Sequence, residues 1–298
     1  MATPRRFIVP FAGVALALTL GVTITVSGNT PAKAPATRMT QTPPRTDDSQ
    51  PRGFLLPFDA YEFTALDAHT IESAEDVLIR GCMRELGFDW EVLPLPSVQH
   101  ADPPNFRRYG LTDADAARYG YHLPPPTSVQ ERREAVWDAR DELPPDELLA
   151  AFGENRATGG CWGEAHAQLQ RGLTSGDMSL LAQYSSQAFD EARRAPEVVT
   201  TIGAWSACMT LVGFDYADPL LAFSDPAWKE SPGPSDRERA VAEADLECKK
   251  KTDLVEVWSD TEKRVQRHII RENPEDFMEL GAWKDGWLTT ARATLEGG

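Results

Sequence analysis

Gly81-Cys82-Met83-Arg84-Glu85-Leu86-Gly87-Phe88-Asp89-Trp90 returns later in the chain as Ala207-Cys208-Met209-Thr210-Leu211-Val212-Gly213-Phe214-Asp215-Tyr216. From Cys82 to Trp90, five of nine positions are identical in the second copy, and the ninth is aromatic in both. Apolar residues lead into each copy at helical spacing. Leu78, Cys82 and Leu86 form one row beside Ile79 and Met83, and Trp205, Cys208 and Val212 share a face in the second copy. A glycine just past a helix supplies the left-handed residue that stops it, and the hydrophobic residue that follows packs back on the last turn. The motif therefore reads as a cysteine-bearing helix end, built twice. Its aspartates suit hydrogen bonds to local backbone in a turn. The competing reading makes Asp89, Trp90, Asp215 and Tyr216 the candidate binding residues.

Outward from the motif, the pattern stays helical. The first helix is predicted over about 71–86. Ser128 with Glu131 opens another, Pro144-Pro145 starts a short one ending at Gly153, and a further helix carries Cys161 to Leu169. A helix over about 177–194 precedes Pro196, which opens the helix of the second copy. Ser235 caps what reads as one long helix to about Arg271, and Pro274 and Gly281 punctuate the C-terminal region. Alternating β-branched residues are scarce. The fold class is mainly α: a helical domain over 54–298 of two diverged halves, about 71–194 and 196–298, each with a disulfide. Within the first half, residues 91–127 form a long Pro-rich loop whose Tyr109, Tyr119, Tyr121 and His122 pin it to the helical core.

The N-terminus has the pattern of an export signal over residues 1–34. Arg5 and Arg6 precede an uncharged run from Phe7 to Val26, and Ala32-Lys33-Ala34 fits the small-x-small cleavage rule. If uncleaved, residues 7–26 are just long enough to anchor the chain in a bilayer, the one membrane contact expected. Residues 35–53 have almost nothing to bury and read as a disordered linker. The formal net charge is −16, and loss of Arg5, Arg6 and Lys33 with the signal takes it to −19. That balance argues against nucleic acid or anionic membrane as a partner. The run Lys249-Lys250-Lys251 reads as a solvated helix face.

An exported chain with four cysteines should carry two disulfides, with three pairings open. Duplicated halves favour Cys82–Cys161 and Cys208–Cys248, each clamping a motif helix to a later helix of its own half. No C-x-x-C, no metal-spaced histidine pair, no G-x-S-x-G and no phosphate-cradling glycine loop occurs. No catalytic residue, metal or cofactor is therefore assigned. Carboxylates are plentiful enough for a glycosidase-type pair, with Asp89 and Asp215 the candidates, so a secreted carboxylate hydrolase is the alternative function.

Three stretches together carry a resemblance: the two C-M-x-x-x-G-F-D copies, the segment Arg108 to His122, and the segment Asp245 to Trp258. Over about residues 55–295 the chain resembles a group of secreted, cysteine-paired helical proteins of Streptomyces-type actinomycetes with no known activity. The resemblance implies export, a helical class and paired cysteines, and no chemistry. The expected function is a non-enzymatic, envelope-associated or secreted interaction protein, its partner an unidentified protein or a cell-wall component.

Overall fold

Caps and breakers decide where the helices lie. The structure, a computed structural model, describes residues 54–94, 102–112, 116–154, 159–229 and 232–297. The signal and linker over 1–53 lie outside the described residues. After a 3-10 turn at Pro57–Ala60, the helices are α1 (Ala65–Glu85), α2 (Ala116–Tyr119), α3 (Ser128–Asp141), α4 (Pro145–Phe152), α5 (Gly160–Leu169) and α6 (Met178–Arg194). They continue as α7 (Pro196–Leu211), α8 (Pro219–Phe223), α9 (Asp236–Lys251), α10 (Leu254–Glu272) and α11 (Pro274–Gly297). No strand occurs among the described residues, so the mainly α class holds.

Several boundaries differ from the sequence reading for identifiable reasons. α1 starts six residues before Ile71, because Thr64 and Asp67 form a reciprocal capping box. The following residues Asp67, His69 and Thr70 are polar, so periodicity gave no hint of that turn. The cap of α3 is Thr127 with Gln130, one residue before Ser128 with Glu131. The single long helix expected after Ser235 is two, broken at Asp253, whose φ of 52° is left-handed. Aspartate tolerates that conformation, and the seven-residue step from Cys248 to Val255 hid the break. α11 runs through Gly281 without interruption.

The expected halves do not pack as separate halves. α11 lies along α1, and α6 lies along α10, so each partner comes from across the supposed division at Pro196. An apolar face is covered by whichever helix fits it, and nothing in local periodicity says which. One core cluster gathers Trp205, Trp258 and Val241 around Tyr109, Leu111 and Tyr121 of the Pro-rich segment. A second joins Ile71 and Ala74 of α1 to Trp283, Trp287 and Leu288 of α11. Phe58 meets Leu181, Ile269 and Phe277 in a third, and Ile79, Met83 and Trp90 meet Cys161 in a fourth.

Both motif copies end in the same backbone geometry. The Phe88 amide donates to the Met83 carbonyl at 2.9 Å and the Gly87 amide to Arg84 at 3.1 Å. Phe214 donates to Met209 at 3.0 Å and Gly213 to Thr210 at 3.1 Å. These are the two bonds of a Schellman stop, with Gly87 at φ 88° and Gly213 at φ 92°. The reversal leaves the residue that caps each helix outside: Leu86 is 56% and Val212 50% exposed, although the apolar row places each on the buried face. Met83 and Met209 are buried instead. A Cβ at either glycine meets nothing within 4 Å, so the cost of a side chain there is conformational alone. Gly87→Ala and Gly213→Ala should each lower stability by about 1 kcal/mol in urea unfolding, and by similar amounts.

Two disulfides complete the frame, Cys82–Cys161 and Cys208–Cys248, each with Cα atoms 5.7 Å apart. That separation is ordinary for a disulfide. The first ties α1 to α5 and the second α7 to α9, as the duplicated motif suggested. No cysteine is free.

Candidate functional site

The aromatic residues of the two motif ends are turned inward and bonded. The Trp90 indole donates to Asp76 Oδ1 at 3.1 Å. Asp76 Oδ2 accepts from the Leu93 amide at 2.7 Å and from Arg140 at 2.6 Å. The Arg140 guanidinium lies between two indole faces, 4.3 Å from Trp90 and 4.5 Å from Trp137. This cation–π sandwich fastens α3 over the end of α1. In the second copy the Tyr216 hydroxyl donates to Asp225 at 2.7 Å, and burial pushes the phenol up to about 12.

The aspartates behave differently. Asp89 and Asp215 are both exposed, and among the described residues neither carboxylate has a hydrogen-bond partner. The expected bonds to turn backbone are not formed, because the Schellman amides are already satisfied by helix carbonyls. Phe88 and Trp90 belong to the cluster around Cys161, whereas Phe214 and Tyr216 belong to the one around Trp258. The structure does not bring the two copies together.

Sequence reasoning missed the main buried polar sites, which join distant segments. Glu262 on α10 is fully buried and accepts from Arg108, from the Tyr109 hydroxyl at 2.8 Å and from Gln266 at 2.8 Å. Gln266 in turn accepts the Phe58 amide at 2.9 Å. On α9, Asp245 accepts from the Trp205 indole at 3.0 Å, from Tyr121 at 3.2 Å and from Lys249 at 3.0 Å. Lys249 also donates to the Leu111 carbonyl at 2.7 Å. Lys249 is therefore buried, not part of a solvated face; Lys250 and Lys251 are exposed. The i, i+4 spacing of Asp245 and Lys249 was the one local signal for this site. Glu238 accepts from the Tyr121 amide at 2.8 Å and contacts His122 Nδ1 at 2.7 Å. Each network pins the Pro-rich segment to a helix, so Tyr109 and Tyr121 are core residues. These polar contacts anchor the fold, and their donors and acceptors face one another.

A shallow cleft of about 170 Å³ lies where α1 begins, lined by Asp59, Glu62, Phe63, Thr64, Asp102 and Asn105 among others. Burial pushes the carboxyls of both Asp59 and Glu62 up, and Asp59 raises Glu62 further. A carboxyl pair in a cleft is what a hydrolase of this kind needs. Here, however, Asp59 accepts from the Leu56 amide at 2.7 Å and from Asn105 at 2.9 and 3.0 Å, which commits both its oxygens to holding the chain. Neither Asp89 nor Asp215 lines this cleft. Among the described residues no group of three or more His, Cys, Asp or Glu could hold a metal ion, and no helix is long and apolar enough to cross a membrane.

His69 on α1, outside the cleft, gives the fold a pH-dependent stability. Its Nδ1 is buried without a hydrogen-bond partner, and burial together with the Arg133 charge lowers the imidazole to about 4 from 6.5. As pH falls below 6.5 the unfolded chain takes up this proton and the folded one does not, so stability present above 6.5 is lost down to about 4. Burial raises Asp59, Glu62, Glu75 and Asp245, and these act in the opposite sense. A comparison with His69→Gln isolates the histidine. The wild type should lose stability relative to the variant between pH 6.5 and 4.5, measured by urea unfolding at several pH values. A constant difference would refute the assignment.

No protein-family model, curated protein or solved structure matches this chain.

Proposed function

We propose that the chain is exported through residues 1–34 and acts outside the cytoplasm as a non-enzymatic interaction protein. Its partner is a protein or a cell-wall component, engaged at the two motif ends. Two disulfides support an oxidising compartment. The observation that carries the interaction reading is the matched exposure of the copies. Leu86 and Val212 stand out at equivalent positions, each three residues before an exposed, unbonded aspartate. Each pair is close in sequence to a disulfide and to an inward-bonded aromatic, Trp90 or Tyr216, so the surface is presented rigidly and loses little entropy on binding. Retention of residues 7–26 would keep the protein at the membrane, and cleavage after Ala34 would release it.

The test places a photo-crosslinking residue at Leu86, at Val212 and, as a control, at Leu123, which is 66% exposed and outside the motif. In the native envelope the two motif positions should capture the same component, and Asp89→Lys or Asp215→Lys should reduce capture at its own site. Equal labelling from Leu123, or capture indifferent to both charge reversals, would overturn the proposal.

A further inference from the structure

His166 on α5 sits in a chain of hydrogen bonds whose direction can be deduced. The Trp283 indole Nε1–H of α11 donates to Gln170 Oε1 at 3.2 Å. An indole nitrogen can only donate, so this contact fixes which end of the Gln170 amide is oxygen. The amide nitrogen then faces His166 Nε2 at 2.6 Å, and that ring nitrogen must accept. His166 Nδ1 consequently carries the proton and donates it to Glu75 Oε1 on α1 at 2.6 Å. A protonated Glu75 donating to Nδ1 would put the ring proton on Nε2, against the amide NH₂, which the geometry forbids. Every bond runs one way, from α11 through α5 to α1.

We propose that this relay holds His166 as the neutral Nδ1–H tautomer, and that protonating the ring breaks the α5–α11 link at Gln170. A protonated imidazole donates from both nitrogens. Its Nε2–H would oppose the Gln170 amide NH₂, and turning the amide would set that NH₂ against the Trp283 indole. Either way Gln170 loses one of its two partners. The proton also strengthens the pair with Glu75, so acidification shifts hold on this helix from α11 toward α1. With 32% of its side chain exposed, His166 is open to solvent protons.

The surrounding charges leave this exchange to the pair itself. Among the described residues Glu75 is the ion-pair partner of His166. On α1 the neighbouring Glu72 and Asp76 are neutralised by Arg133 and Arg140. α11 offers Lys284 and Arg292, which face Asp67, and turns the Trp287 ring edge-on to the imidazole. α4 contributes Asp146 and Glu147 in its first turn, and α5 itself Glu164.

Nitrogen-15 NMR of the full chain, disulfides intact, reads the relay directly, with His166→Gln used to assign the ring. At pH 8 the imidazole shifts should place the proton on Nδ1. As the ring titrates, the Trp283 indole N–H should shift with the same midpoint. In Gln170→Met the ring should still titrate while the Trp283 indole stays still, which separates a relay from mere proximity. An Nε2–H tautomer at pH 8, or a Trp283 indole unmoved through the His166 titration, would overturn the proposal from the wild-type spectra alone.

Discussion

Replacing Cys208 and Cys248 together by alanine should lower the free energy of unfolding by about 4 kcal/mol. The bond closes a loop with a sequence separation of 40, and chain entropy alone assigns such a loop about that much. Domains of ordinary stability hold only about 5–15 kcal/mol in total. The effect should not be softened by solvent, since Cys248 is 1% exposed within the cluster that contains Trp205 and Trp258. The Cys82–Cys161 bond, with a separation of 79, should contribute slightly more, because closure entropy grows only with the logarithm of length. Urea unfolding followed by tryptophan fluorescence measures both. Full reduction should remove the two contributions at once and leave the chain largely unfolded at 37 °C. A double-alanine variant within about 1 kcal/mol of wild type would show that packing alone secures α7 against α9.

Glu262→Ala should cost about 3–5 kcal/mol, the range for removing one partner of a buried charge pair. The carboxylate is wholly buried and receives Arg108 through Nε at 2.9 Å and Nη2 at 2.5 Å, as well as Tyr109 and Gln266. Its loss leaves the Arg108 guanidinium hydrogen-bonded to Ser185 alone among the described residues, and deprives the Tyr109 phenol and the Gln266 amide of their acceptor at one stroke. It also frees the segment near Asn105–Leu111, so proteolysis there should quicken along with the loss of stability. Glu262→Gln keeps the shape and several acceptor contacts and should cost clearly less. If alanine and glutamine were equally mild, Glu262 would not be the clamp between α10 and the Pro-rich segment.

The features visible in the sequence are those fixed by neighbours along the chain. Asp177, Pro196 and Ser235 mark helix starts because a cap acts within three residues, and Gly87-Phe88 marks a stop for the same reason. The cysteine pairing was accessible because the duplication supplied the long-range information that spacing lacks. The crossing of α6 and α11 between the supposed halves had no such signal. Nor did the meeting of Arg108 with Glu262, which are 154 residues apart. Thr64 and Asp67 were legible in principle as a capping box, but the polar turn behind them masked the helix. At the motif ends, the exposure of Leu86 and Val212 follows from the reversal geometry, which overrides the apolar row that contains each of them.

The repeated motif is, on this account, a device for ending and stapling two helices, and its cysteines are the part that determines which helices meet. Non-reducing peptide mapping by mass spectrometry tests that most directly. The prediction is one peptide pair joining Cys82 to Cys161 and another joining Cys208 to Cys248, with no free thiol. Recovery of Cys82 joined to Cys208 would contradict it.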